Sequence, residues 1–251
     1  MRVRKGVQNI FREVASTYEL VNHVLTFGMD RVWRRTAART ASQGGGHLWL
    51  DVCSGTGEMV RDLRRFGGRE VTICVADFSD QMLEAARRKL RGLNLIFILT
   101  DARMLPFPDQ SFDLITISFA TRNLSPNRNV LAAHLREFHR VLRPGGRLVN
   151  LETSQPRNPI VRCVFHTYVR LMVRPIGRWI SGSDVGYRYL SFTIPRHYDA
   201  ESFARILREE GFSSVSYQRL FCGVAAIHTA SKSDRDLSQR GDRNSPGYRV
   251  T

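Results

Sequence analysis

Five short runs recur along the middle of the chain: "HLWLDVC" (47–53), "VTICVADF" (71–78), "LIFILTDA" (95–102), "FDLITISFA" (112–120) and "GRLVNLE" (146–152). Each is rich in β-branched and aromatic residues. Near-continuous apolarity in several of them predicts strands buried on both faces rather than half-exposed ones. Between them stand "EMVRDLRRF", "SDQMLEAARRKLRGL" and "RNVLAAHLREFHRVL", whose apolar residues return at helical spacing. Ser79 is placed to cap the second of these helices. Strands alternating with helices of this length predict an α/β fold, a doubly wound and mostly parallel sheet. Two later runs, "SSVSYQRLF" (213–221) and "GVAAIHTAS" (223–231), lie close enough to pair as an antiparallel hairpin, which completes a seven-stranded sheet.

The flanks read differently. Residues 1–46 are expected to form a helical cap, since Ile10, Phe11, Val14, Tyr18, Val21, Val24 and Leu25 fall at helical spacing and "MDRVWRRTAART" resumes it after "TFG". The folded domain is expected over 47–231, with an insertion at about 156–198 where the strand–helix rhythm breaks. The polar segment 232–251 lacks periodicity and is expected to be disordered.

At 251 residues and 42% hydrophobic content the chain suits one such domain. No apolar run reaches the roughly 18–20 residues that a membrane-spanning helix needs, and the first residues lack the apolar core of a signal peptide. Cys53, Cys74, Cys163 and Cys222 form no C-x-x-C pair, which argues against a zinc site or a disulfide framework and suits a reducing cytoplasm. The net charge is +15, and all but three of the 38 cationic residues are arginines. Such a surface serves nucleic acid, an anionic membrane or solubility alone, so charge does not choose among them.

The turn after the first strand carries the chemistry. In "WLDVCSGTGEMV" (49–60), Gly55 and Gly57 let backbone approach a ligand closely, and the helix beginning near Glu58 offers its N-terminal N–H groups. Val60 stands where a dinucleotide fingerprint has a third glycine. Asp77, ending the second strand, is placed to accept from two ribose hydroxyls. Loop and acid fit NAD and S-adenosylmethionine equally. Asp51, just before the glycines, suits the ammonium of a methionine moiety, and Asp101, ending the third strand, suits an adenine amino group. Ser54 and Ala102 are expected along the same path. These features favour S-adenosylmethionine, which has no pyrophosphate for a third glycine to cradle.

"DARMLPFPDQSFDLI" (101–115) and "VLRPGGRLV" (141–149) resemble blocks of class I methyltransferases, a Rossmann-like fold; Cys53 stands where these often have glycine. More specifically, "VASTYELVNHVLTFGMDRVWRR" (14–35) and "RVLRPGGRLVNLETSQP" (140–156) resemble the two signatures of the ubiquinone/menaquinone biosynthesis C-methyltransferase family (UbiE/MenG), with Glu152 and Ser154 in place. "ITISFATRNL" and "GYRYLSFTI" also resemble family segments, and the likeness runs from about Phe11 to Thr229. The chain departs in carrying Asp30 where the first signature usually has histidine, Thr26 where serine is common, and "TSQP" for a more frequent F-S-K/R-P. All touch substrate-side positions.

The resemblance implies methylation of a ring carbon on a polyprenylated quinol. An aromatic carbon attacks a sulfonium methyl only when it is electron-rich and aligned, so the protein must orient the ring and stabilise a developing phenolate. "FATRNL" follows the fourth strand at the carboxyl edge, where ligands bind in open α/β sheets. Arg122 there is the expected phenolate stabiliser and Asn123 the expected orienting group. Tyr18 and Asn22, in the first signature, and Tyr187, in the insertion, are expected on the substrate side. His166 and His197 also fall in the insertion, but no histidine stands out as the base.

Within the insertion, Arg162, His166, Arg170 and Arg174 recur every four residues among apolar and aromatic neighbours, and Pro175 is expected to end or kink the helix. A basic, aromatic-rich helix suits an anionic bilayer, where a polyprenyl tail resides. The expected partners are therefore a quinol and peripherally the inner face of a membrane. The oligomeric state stays open, a homodimer being one alternative. A nucleic-acid substrate is disfavoured. "TRNL" is not the N/D-P-P-Y/F arrangement of amino-methylating enzymes, no cysteine follows the fourth strand, and no recognition module is apparent. Another phenolic or lipid acceptor, and a cofactor-binding protein without turnover, remain as alternatives.

Overall fold

The computed structural model describes residues 17–234. The five expected parallel strands are β1 (Leu48–Val52), β2 (Thr72–Asp77), β3 (Leu95–Leu99), β4 (Phe112–Ser118) and β5 (Leu142–Thr153), followed by β6 (Ser213–Leu220) and β7 (Ala225–Ser231). They form one sheet in the order β3-β2-β1-β4-β5-β7-β6, with β7 antiparallel to both β5 and β6. β1 is central because Trp49 pairs with Ile73 on one side and Leu114 on the other. The strand order reverses at β1/β4, which opens a crevice at the carboxyl edge.

Side-chain alternation divides the strands between two cores. Leu50, Val52, Cys74, Ile115 and Ile117 pack with α5 (Arg128–Val141) and α9 (Ala200–Glu209) on one face. Trp49, Ile73, Val75, Leu114 and Val149 pack with α2 (Met29–Ser42), α3 (Glu58–Gly67) and α4 (Asp80–Lys89) on the other. Helices on both faces explain why β1 and β2 are buried almost throughout. Ser79 caps α4 as expected, its Oγ accepting from the Met82 N–H at 3.3 Å. β5 starts earlier than its apolar run suggests, because Leu142 pairs with Phe112 ahead of a register shift.

The N-terminal region is helical over α1 (Tyr18–Leu25) and α2. The helix expected over 7–16 and the disorder expected over 235–251 lie outside the described residues. The insertion is a second helical layer of α6 (Pro159–Tyr168), α7 (Arg174–Ser181) and α8 (Asp184–Thr193). Pro175 does not end this run. The chain widens into a π-helical turn over Val169–Val173, and the proline then sits in the first turn of α7, where a missing N–H is tolerated. The insertion packs on α1 through Val21, Val169, Val173 and Tyr187, and the Tyr168 hydroxyl donates to the Leu25 carbonyl at 2.8 Å. α7 and α8 approach so closely that a Cβ on Gly177 would lie 2.1 Å from Tyr187 Cγ.

Candidate active site

The glycine turn is held from below and open above. Gly55 N–H donates to Asp77 Oδ2 at 2.9 Å, Ser54 N–H donates to the Ala76 carbonyl at 3.1 Å, and Ser54 Oγ donates to the Asp51 carbonyl at 2.6 Å. Gly57 (φ +81°) has no room for a side chain, since a Cβ there would meet Leu90 Cδ1 at 2.6 Å. A Cβ on Gly55 would meet nothing within 4 Å, so this backbone borders open space. Cys53, at the position where related loops often have glycine, has a φ of +55°, a conformation that favours glycine.

Ser54, Gly55, Asp77 and Asn123 line the cavity above this turn, together with Glu58, Phe78 and Met82. Asp51 lies just beneath, 1% exposed. Its Oδ1 accepts from Thr116 Oγ1 at 2.5 Å, while Oδ2 is buried without a protein partner. Burial, with the nearby Asp77 carboxylate adding to it, pushes its pKa up to about 7. A buried carboxylate with one unused oxygen fits a cationic group such as the cofactor's ammonium. Asp77 is also raised, by burial, against the N–H donors of Gly55 and Ser79. Asp101 lies at the end of β3, bonded to the Arg103 backbone and side chain, and is not among the residues lining this cavity. The Ala102 side chain turns into the core, so only its backbone is available to a cofactor.

A second, apolar cavity of about 560 Å³ adjoins the first. Val161, Phe165, Val169 and Val173 of the insertion, Leu25 of α1 and Trp33 of α2 form much of its wall. Asn22 lines it. Tyr187 does not. Its ring is 1% exposed and is consumed in the packing of α7 against α8, a correction to its expected role. The Tyr18 side chain lies outside the described residues.

Arg122 lines the apolar cavity and Asn123 the cofactor cavity, so the turn after β4 reaches into both. Arg122 is not a free cation. Its Nη1 donates to Glu152 Oε1 at 3.0 Å and to Thr153 Oγ1, its Nε donates to Thr193 Oγ1, and its backbone N–H donates to Glu152 Oε2. Burial raises the Glu152 carboxyl, but the Arg122 guanidinium, the nearby His197 and the backbone N–H groups of Arg122 and Thr153 together outweigh it and leave the pKa below the ordinary value. Asn123 Oδ1 is buried without a protein partner.

None of the histidines among the described residues lines either cavity. His197 and His228 are buried and pushed down to about 4 by desolvation. His166 contacts Gln155 Oε1 at 2.7 Å. Sequence reasoning missed a different group. Arg34, 4% exposed, pairs with Asp30 at 2.5 Å and Glu58 at 3.1 Å, and its guanidinium lies 5.0 Å from the Phe119 ring centroid. Lys89 joins Glu58 to Glu19, and His23 contacts Asp30 at 2.8 Å. The available signal was the polar i,i+4 pair Asp30–Arg34 on the apolar face of α2.

Comparisons with known proteins give the family and the fold. The chain matches the family described as the ubiE/COQ5 methyltransferase family over residues 2–232. The ubiquinone/menaquinone biosynthesis C-methyltransferase UbiE of Marinomonas sp. (strain MWYL1) is 34% identical over 232 residues, 91% of this chain and 91% of that relative. The protein of the same name from Ectopseudomonas mendocina (strain ymp) is 36% identical over 230 residues, 90% and 88% of the two chains. Among solved structures, a SAM-dependent methyltransferase from Aquifex aeolicus superposes with a TM-score of 0.54 at 18% identity, over 78% of this chain and 88% of that one. The (4+2)-cyclase SpnF superposes with a TM-score of 0.61 at 21% identity, over 82% of both. At these identities the structures establish the fold alone, and a cyclase among them shows that the fold does not by itself dictate the reaction.

Proposed function

The chain belongs to the ubiE/COQ5 methyltransferase family, and from that membership we propose that this S-adenosylmethionine-dependent C-methyltransferase acts on the ring of a polyprenylated quinol, in ubiquinone or menaquinone biosynthesis. The observation that carries the reading is the apolar cavity of about 560 Å³ opening beside the cofactor cavity. A polar acceptor would waste such a wall, whereas an isoprenoid chain gains about 25 cal/mol per Å² on entering it.

When bound, the cofactor would supply a methyl group activated by a sulfonium. Asp51 and Asp77 would hold its two polar ends, Gly55 would give it room, and the Ala102 backbone, with Asp101 outside the lining of the cofactor cavity, would serve the adenine. The Arg122 guanidinium would meet one of the two quinol oxygens from the wall of the apolar cavity, and Asn123, which lines the cofactor cavity and has a buried oxygen without a protein partner, would orient ring against cofactor. The apolar wall excludes water from the reacting carbon.

Transfer of labelled methyl from S-adenosylmethionine to demethylmenaquinol and to a 2-methoxy-6-polyprenyl-benzoquinol, run in parallel under reducing conditions, tests the reading. Turnover on either is expected, and the ratio identifies the pathway. Asp30 favours a second reading, another phenolic or lipid acceptor: it replaces a histidine usual in the family signature, and it faces the apolar cavity. Cofactor binding with neither quinol methylated would transfer support to that reading.

The same cavity motivates membrane docking. No helix among the described residues is long and apolar enough to cross a bilayer. Yet the cavity is rimmed by Phe27, Val164 and Phe221, which are 82%, 65% and 63% exposed, and Trp179 on α7 is 87% exposed beside the exposed Arg178. The expected arginine stripe is partly used internally: Arg162 bonds the Pro156 carbonyl, and Arg174 pairs with Asp184. Apolar insertion should therefore outweigh charge. The protein is expected to float with anionic vesicles, and W179A to float markedly less; absence of flotation at any salt concentration would refute docking.

A further inference from the structure

Two residues, Arg34 and Phe119, line both the cofactor cavity and the apolar cavity. Any methyl group that leaves the first for the second crosses the boundary they form. Arg34 is tethered there by one acid from each side. Asp30 lines the apolar cavity, Glu58 lines the cofactor cavity, and each contacts a different Nη of the same guanidinium. Phe119 supports the group from below, and it does so from a φ of +53°. A bulky residue in the left-handed region is strained, and such outliers concentrate at functional sites.

We propose that Arg34 is an oxyanion-stabilising residue of the methyl transfer, with Asp30, Glu58 and Phe119 as its positioning residues. The proposal rests on the reading that the apolar cavity takes a quinol. The accepting carbon must sit at the boundary, and the ionising oxygen is on the neighbouring ring atom, so the cation serving that oxygen belongs at the boundary too. Arg122 lines the apolar cavity alone and is held by Glu152, Thr153 and Thr193. In the step, the hydroxyl proton leaves to water and its electron pair moves into the ring. The C–C bond forms as the S–CH₃ bond breaks, leaving a neutral thioether. The ring carbon then loses its hydrogen as a proton and the oxygen regains one, so that one proton is released to solvent overall.

The charges around Arg34 are Asp30 on its own helix with His23 behind it, Glu58 and Asp62 from α3, Lys89 from α4 with Glu19 from α1, and Asp51 below. Arg122, paired with Glu152, also lines the apolar cavity. A test independent of turnover uses 2-geranyl-4-nitrophenol, whose phenolate absorbance is titrated on the protein without cofactor. R34Q is expected to lower the bound phenolate-to-phenol ratio about tenfold, with R34K intermediate. With a quinol substrate, R34Q should lower kcat about 100-fold while KM changes little, and R34K should restore most of it. The double variant D30N/R34Q removes both partners of the closer ion pair together, leaves Glu58 its contact with Lys89 at 2.9 Å, and is measured alongside, in case R34Q alone does not fold. A wild-type ratio in either folded variant overturns the proposal. A wild-type protein that methylates neither quinol would instead remove the functional reading, while the nitrophenol titration still decides whether Arg34 holds an oxyanion.

Discussion

Replacing Arg122 with alanine is expected to cost about 3–5 kcal/mol of stability, because it leaves a buried carboxylate without its partner. Glu152 is 2% exposed and takes two of its hydrogen bonds from Arg122, one from the backbone and one from Nη1. The same guanidinium reaches Thr193 at the end of α8, so the loss also loosens the insertion over the apolar cavity. The pH dependence has a definite sign. Glu152 has a folded pKa below its ordinary 4.5, so it contributes stability that is present above that value and lost as pH falls through the folded one. In the variant the guanidinium is gone while burial and the remaining N–H donors stay, so the Glu152 carboxyl moves up from its wild-type position and the stability it contributes above the ordinary value should shrink. Urea melts between pH 4 and 8 would show this weaker dependence; parallel curves for wild type and variant would refute the pair's role. Activity lost in Arg122→Ala therefore bears on chemistry only once the fold is shown to persist. The double variant R122M/E152M provides that control, since it removes both charges together.

Asp51→Asn is expected to move stability and cofactor affinity in opposite directions. The folded pKa of Asp51 is raised from 3.8 to about 7 by burial. A carboxyl so raised binds its proton more tightly in the folded state, so its contribution is greatest below the unfolded value and is lost as pH rises towards 7. Asparagine carries no such loss, and the cofactor-free variant should melt roughly 4–8 °C higher than wild type at pH 8, for a gain on the order of 2 kcal/mol. On the proposed role of Asp51, the same change removes the charge it would offer to the cofactor's ammonium, and the Kd for S-adenosylmethionine should rise about 30-fold or more. Calorimetry near pH 7 in buffers of different ionisation enthalpy should detect a proton released on binding to wild type and none to the variant. A variant that binds as tightly as wild type would show that Asp51 only supports the loop.

The fold was legible because its determinants are local. A run such as "TICVAD" is apolar at every position but its ends, and only a strand covered on both faces has use for that, so β1, β2 and β4 could be located without any knowledge of their neighbours. The cofactor loop was legible for a similar reason. Gly57 and Cys53 occupy left-handed backbone, and a close pair of glycines after a buried strand marks such a turn before any contact is seen. The Ser79 cap and the final hairpin are likewise decided within a few residues.

The allotment of the site residues was not local. Tyr187 and Asn22 both read as substrate-facing, yet one is spent against Gly177 and the other lines the cavity. Arg122 read as the phenolate stabiliser, and the structure pairs it with Glu152 from the next strand. Arg34 attracted no attention, because Glu58 and Phe119, which give it meaning, come from other elements of the chain. Periodicity tells which face of a helix is buried, and composition tells what chemistry is available. The sequence by itself therefore determined a doubly wound sheet with a glycine loop after its first strand and acids at its carboxyl edge. Which cation stands between the two cavities was decided only when α2 packed across the sheet beside α3 and the β4 turn, since a charge acts through distances of a few ångströms that sequence separation does not measure.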